Sequence, residues 1–198
     1  MVVLFLTSGC EIRPLDPETG RAIIEEDTER FDADRYVDEN WSETIVPALR
    51  ADAVDVDSLL ERLESIDPEE HAEIGADARA VRGTGRVLSL DDASQARLLR
   101  VDAPPYDGVD DYALQIGPVI RGTALRDAVP SISFDQFVNQ LEYAGVARSL
   151  NDRLVETLLS DMNFEDLVGS EIYFVGVLPL RNLEMLMITP IEIHRSDA

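Results

Sequence analysis

The 198-residue chain contains no lysine: its 17 basic residues are all arginine, set against 40 aspartates and glutamates for a formal net charge of -23. A field of that sign repels phosphate backbones, whose binding needs clustered cations to displace counterions, so nucleic-acid partners are disfavoured. Anionic membrane surfaces are repelled on the same ground. The single cysteine, Cys10, excludes an internal disulfide, and the two histidines, His71 and His194, are too distant in sequence for metal-ligand spacing. No apolar run approaches the roughly 20 residues of a membrane-crossing helix. Neither a Gly-x-Ser-x-Gly elbow, a His-Glu-x-x-His pair nor a phosphate-binding glycine loop occurs, and no cofactor is implied. Paired acids such as Asp91-Asp92 and Asp110-Asp111 offer a carboxylate-dependent hydrolase only a weak foothold, because a carboxylate-rich surface produces such pairs by itself.

What is present suffices for a folded domain: 45% of residues are hydrophobic, enough to bury a sizeable core. Acidity is weighted to the N-terminal third, where residues 1 to 70 hold 20 of the 40 acids but only 6 of the 17 arginines. High negative charge with arginine in place of lysine fits solubility in concentrated salt, where self-repulsion is screened. Plain compositional bias is the alternative.

The first ten residues, MVVLFLTSGC, join a short apolar run to small residues and a cysteine. This arrangement resembles a lipoprotein signal, in which Leu6, Thr7, Ser8 and Gly9 precede the cleavage point and Cys10 takes the lipid. Val2 to Leu6 is shorter than an ordinary signal core and has no positive leader, which predicts that Met1 lies inside a longer signal. Residues 11 to 30, with two prolines, a glycine and many charges, read as an acidic spacer between anchor and domain. Two or more acyl chains would hold the protein at the membrane firmly.

Residues 31 to 78 are expected to form a helical subdomain. Asp32 or Asp34 caps a first helix carrying Tyr36, Val37, Trp41, Thr44, Ile45 and Leu49, which Pro47 kinks or ends. Asp57 caps a second, with Leu59, Leu60, Leu63 and Ile66 as its stripe before Asp67-Pro68. The period then changes to two: Ala80 to Leu90, Arg97 to Val101 and Tyr112 to Val119 read as strands. Phe134 to Met162 reads as one long helix, and Glu171 to Leu178 with Glu184 to Ile193 as two closing strands. Strands with one long helix before the last pair predict an α+β fold. Residues 79 to 198 would form a small antiparallel β-barrel of the OB type, which binds oligonucleotides or oligosaccharides in some proteins.

Candidate binding residues gather around the turn-rich middle. Arg121 and Arg126 can present paired donors to a carboxylate or a partner's acidic loop, with Asp127, Asn139 and Tyr112 nearby. The simpler account has Arg126, Asp127 and Asn139 satisfying one another around a buried turn. Asn139 and Asn151 would point about 120° apart on one helix, which favours capping or core roles over a shared pocket. Tyr36 and Trp41 read as packing anchors rather than a sugar platform.

The segment IGPVIRGTALRDAVPSISFDQFVNQLEYAGVARSLN, Ile116 to Asn151, resembles the signature of a family of predicted periplasmic lipoproteins, domain of unknown function 2291. Cys10, YVDENW, RGTGRVLSLDD, VGSEIYFVGVLPL and MITPIEI follow that family's order. The resemblance implies an extracytoplasmic lipoprotein with a helical part and a barrel, often encoded beside sugar uptake transporters of the ATP-binding-cassette class, and it supplies no catalytic residues. The expected role is a non-catalytic accessory protein, held to the membrane through Cys10, that binds the transporter, its binding protein or its ligand. An envelope module recognising another protein is the alternative.

Overall fold

Asp32 opens the first helix by accepting the backbone N–H groups of Asp34 and Arg35, each at 3.1 Å. The computed structural model describes residues 31–65, 77–181, 183 and 186–196; Cys10, the spacer 11–30, Ile66, Asp67-Pro68, His71 and Glu184 lie outside the described residues. Helix α1 (Ala33–Asn40) runs into a π-turn (Trp41–Ile45) and then α2 (Val46–Asp52). Val37, Trp41, Ile45 and Leu49 are all buried and recur every four residues. On an ideal α-helix that spacing drifts by about 40° per step, and the wider π-turn takes up part of the drift. Pro47 therefore neither ends nor breaks the segment. It sits where the π-turn passes into α2, so the irregular turn lies directly before it.

A two-residue strand β1 (Val54–Asp55) leads into α3 (Val56–Glu64). Its cap is Asp55, which accepts from Ser58 N–H at 3.0 Å, rather than the expected Asp57. The sheet follows with β2 (Ala78–Asp91), β3 (Leu98–Asp102), β4 (Tyr112–Gln115), β5 (Glu171–Pro179) and β6 (Met187–Arg195). Among the described residues the sheet has six strands and is mixed, not antiparallel throughout as expected, because β1 and β4 pair in parallel with β2 and β6. Antiparallel ladders join β2 to β3, β3 to β4, β5 to β6 and β2 to β5, while β4 runs parallel to β6. Pairing thus passes from β2 through β3, β4, β6 and β5 and returns to β2, with β1 parallel on the side of β2.

One strand serves two neighbours because β2 is long: Ala78 to Arg86 face β5, and Arg86 to Asp91 face β3 across a bulge at Val87/Ser89. Its buried positions alternate, with Val81, Gly83, Gly85 and Val87 inward and Arg82, Thr84 and Arg86 outward. Glycine at 85 permits close approach, since a Cβ there would lie 2.4 Å from Val101 Cγ1 and 2.8 Å from the Asp102 carbonyl. Tyr112, Leu99, Leu114, Phe174, Ile172 and Ile188 are buried almost completely. Val56 reaches Gly83 from α3, so helices and strands share this core.

Two elements depart from expectation. The strand from Tyr112 stops at Gln115, because Gly117 turns to donate to Ala96 O at 2.8 Å and Pro118 has no N–H to continue a ladder. The long helix does not begin at Phe134: a 3₁₀ turn (Phe134–Gln136) gives way to extended backbone at Phe137, and helix α5 starts at Gln140. It runs to Leu154 and continues as a π-turn through Leu159. A short helix α4 (Ala124–Asp127) precedes it. On its outer side α5 carries α1, with Ala33 against Gly145, Ser149 Oγ donating to Asp34, and Arg153 paired to Asp38 at 3.2 Å.

Candidate functional site: an arginine-lined cleft

The end of β4, the beginnings of β2 and β6 and the end of β5 meet at one margin of the sheet. There a cleft of about 360 Å³ opens, bordered by the loop after β4 and by α4. It brings together Arg121, Arg126 and Asp127 from the expected set, and adds Asp77, Gln115 and Arg181.

Its floor is built by Gln115, which is only 2% exposed. The Gln115 amide donates to Thr189 Oγ1 on β6 at 3.1 Å and to the Arg121 carbonyl at 3.4 Å, and its oxygen accepts from Arg121 N–H at 3.0 Å. From the other side Asn151 on α5 donates to the carbonyls of Ile120 (3.3 Å) and Gly122 (3.0 Å). A third restraint is Gly117, where a Cβ would stand 2.1 Å from Gln95 O. Gly122 turns the chain with φ of +91°, a conformation glycine adopts without strain. The Arg121 backbone is thus clamped, whereas its guanidinium is exposed and has no partner among the described residues.

Arg126 is held differently. Its Nε and Nη2 both donate to Asp127 Oδ1, at 2.8 and 2.6 Å, its Nη1 donates to Tyr143 O at 3.3 Å, and its Cζ lies 3.7 Å from the Tyr143 ring centroid. Asp127 also accepts from Thr123 Oγ1 at 2.6 Å. Across the opening Arg181 Nη2 donates to Asp77 Oδ2 at 2.5 Å. This bond, helped by the charges of Arg181 and Arg126, holds the Asp77 carboxyl below the ordinary carboxylate range.

Tyr112 and Asn139 lie elsewhere. Tyr112 begins β4 where Gln115 ends it, roughly 10 Å along the strand. Its ring is buried edge-on to Phe174, with centroids 5.7 Å apart, and its hydroxyl donates to Asp57 Oδ1 at 3.1 Å. Burial first, and then the Asp57 carboxylate, push the phenol well above its ordinary value. Asn139 caps α5, accepting from Leu141 and Glu142 N–H and donating to Glu142 Oε1, so it takes no part in the Arg126–Asp127 pair. Sequence reasoning missed Asp77, Gln115 and Arg181. Arg181 had a signal, as a cation two residues after a strand that ends in Pro179; Asp77 and Gln115 are recognisable only once the strands are paired.

One further surface bears on function. Val138 is 89% and Leu141 84% exposed beside the half-exposed Phe134, an apolar patch at the start of α5. Among the described residues no cluster of His, Cys, Asp and Glu has the arrangement of a metal site, and no helix is long and apolar enough to cross a membrane.

The architecture is that of an OB-fold protein with added helices: the crystal structure of an OB-fold protein from Thermotoga maritima superposes with a TM-score of 0.64 at 19% identity, covering 84% of this chain and 99% of that one. No curated protein matches the chain. Residues 1–194 match the family described as predicted periplasmic lipoprotein (DUF2291), and the chain belongs to that family. The description is consistent with an extracytoplasmic, membrane-anchored protein.

Proposed function

We propose that the chain is a non-catalytic accessory protein, lipid-anchored through Cys10 outside the cytoplasmic membrane and associated with a sugar uptake system of the ATP-binding-cassette class, whose binding surface is the arginine-lined cleft. The ring of strand pairing supports reading the sheet as a small OB-like barrel, with its interior filled by side chains and its binding surface at one rim. The observation that carries the binding role is Arg121: a guanidinium with no partner among the described residues, on a clamped backbone, in a cleft lined by two more arginines, in a chain of net charge -23. A non-catalytic role is supported by the cleft's carboxylates, since Asp77 and Asp127 are each engaged by an arginine and are poorly placed to act as a base.

A photo-crosslinking residue in place of Thr123, which lines the cleft, in the full-length, lipidated chain tests the role in cells with Arg121 intact. Adducts with the permease or binding component of a sugar uptake system are expected, and Cys10→Ala should release the protein from the membrane fraction. The same adducts from a crosslinker at Val109 would sink the assignment of the cleft. The exposed Val138 and Leu141 favour a second reading, an envelope module that recognises another protein through α5; crosslinking from position 141 alone would select it.

A further inference from the structure

We infer that the cleft takes a small organic monocarboxylate, whose carboxylate sits between Arg121 and Arg126. This rests on the reading of the cleft as the binding surface and adds the class of ligand.

Charge balance comes first. Among the described residues, Arg121, Arg126 and Arg181 line the cleft with Asp77 and Asp127, which leaves one uncompensated positive charge. One monoanion neutralises it. A phosphate dianion would leave an excess negative charge beside Asp77 and Asp127, in a protein that already repels anions.

Donor geometry accommodates such a ligand. A guanidinium has five N–H groups in a planar fork that matches a carboxylate. Arg126 spends three on Asp127 and Tyr143 O, which fix its plane, and keeps two. Arg121 keeps all of its own, on a backbone that Gln115 and Asn151 have already ordered. Binding therefore needs little more than the ordering of one side chain.

Size and lining fix the rest of the ligand. About 360 Å³ is far more than a bare carboxylate fills and lies within the usual range for small-molecule sites. Ala124, Pro179 and Met187 supply apolar contact, and among the described residues no aromatic ring borders the cleft to stack on a neutral sugar. The anionic group would dominate recognition.

Calorimetry on the whole protein with D-glucose, D-glucuronate and glucose 6-phosphate presents similar rings in neutral, singly and doubly charged form; lactate serves as a second carboxylate and Gly-Glu-Gly as a peptide carboxylate. Saturable binding of glucuronate or lactate is expected, with glucuronate at least about tenfold tighter than glucose and no weaker than the phosphate ester or the peptide. Arg121→Gln, at an exposed side chain, should weaken the carboxylate about tenfold or more. Arg35→Gln, which removes an equal charge on α1, should change it less than about twofold. Equal binding of glucose and glucuronate, preference for the phosphate ester or the peptide, indifference to Arg121→Gln, or no saturable binding of either small carboxylate would each overturn the inference. If crosslinks from position 123 persisted in that event, only the ligand class would fall; if they were absent too, the cleft itself would be the wrong surface.

Discussion

Gln115 and Arg121 exchange two hydrogen bonds: the arginine N–H donates to the amide oxygen at 3.0 Å, and the amide nitrogen donates back to the arginine carbonyl at 3.4 Å. A side chain at the end of a strand thereby imitates one further rung of the ladder that Gly117 and Pro118 interrupt. The loop gains a fixed backbone without becoming sheet, and the Arg121 side chain is left for solvent or ligand.

Gln115→Ala should therefore cost more than an ordinary surface change. It would strip a partner from Thr189, itself 1% exposed, and from both main-chain groups of Arg121. Each buried polar group left unsatisfied costs about 1–3 kcal/mol, so a loss of about 2–3 kcal/mol in urea unfolding is expected. A loss below about 0.5 kcal/mol would show that the loop is held by Asn151 and Gly117 alone.

The onset of α5 offers a separate check. Asn139 has extended backbone angles and accepts from Leu141 and Glu142 N–H at 2.9 and 3.0 Å. Asn139→Ala should cost about 1 kcal/mol, and Asn139→Ser, which keeps a capping oxygen, should recover most of it. Amide exchange at Leu141 and Glu142 should quicken in the alanine variant only. Equal stability of all three would mean that the first turn is held by packing.

Much of the architecture is legible in the chain because it follows from local periodicity. The alternation around RGTGRVLSLDD marks β2, and Asp32 announces the first helix at its observed start. What escapes is decided over long separations. Phe134 and Phe137 fall on a helical face in the sequence, yet Phe137 is extended and turns its ring towards Tyr36 and Tyr143, and the helix is capped two residues later by Asn139. Asp57 resembles a cap but is used by Tyr112, 55 residues away. The cleft follows the same pattern. Arg121 and Arg126 stand out as cations in a turn-rich segment, whereas Asp77 and Arg181 meet only because β2 and β5 pair from Ala78 and Pro179 onward.

Salt should stabilise the protein. At a net charge of -23 the folded chain repels itself, and raising ionic strength from about 0.1 to 1 M shortens the screening length from about 10 to 3 Å. Exposed pairs such as Arg35–Glu39 weaken under the same conditions, but each contributes at most about 1 kcal/mol. If screening gains about 2 kcal/mol net, the thermal midpoint should rise by about 4–8 °C, measurable by scanning calorimetry. A midpoint indifferent to salt, or falling with it, would refute salt adaptation as the reason for the arginine-only, acid-rich composition.

Asp57 gives the protein a pH dependence of unusual sign. Burial raises its carboxyl above the ordinary 3.8, and the nearby Asp55, Asp111 and Glu61 raise it further, against the hydrogen bond from Tyr112. The native state then holds this proton more tightly than the unfolded chain does. Ionising Asp57 costs stability, a penalty absent below the ordinary value and complete above the raised one. Asp77 and Asp91 are shifted down and contribute in the opposite sense, losing their stabilisation as pH falls through their lowered values, so Asp57 must be isolated by difference. Asn at this position keeps the shape and an oxygen for the Tyr112 hydroxyl without the charge. Asp57→Asn should be more stable than the parent at pH 7, by no more than about 1 kcal/mol because the group is partly exposed. The advantage should shrink as pH falls and vanish at or below about 3.8. Urea unfolding of both proteins at pH 7, 5 and 3.5 measures the difference. A variant less stable at pH 7 would show that the hydrogen bond from Tyr112 to the carboxylate outweighs the cost of burying its charge.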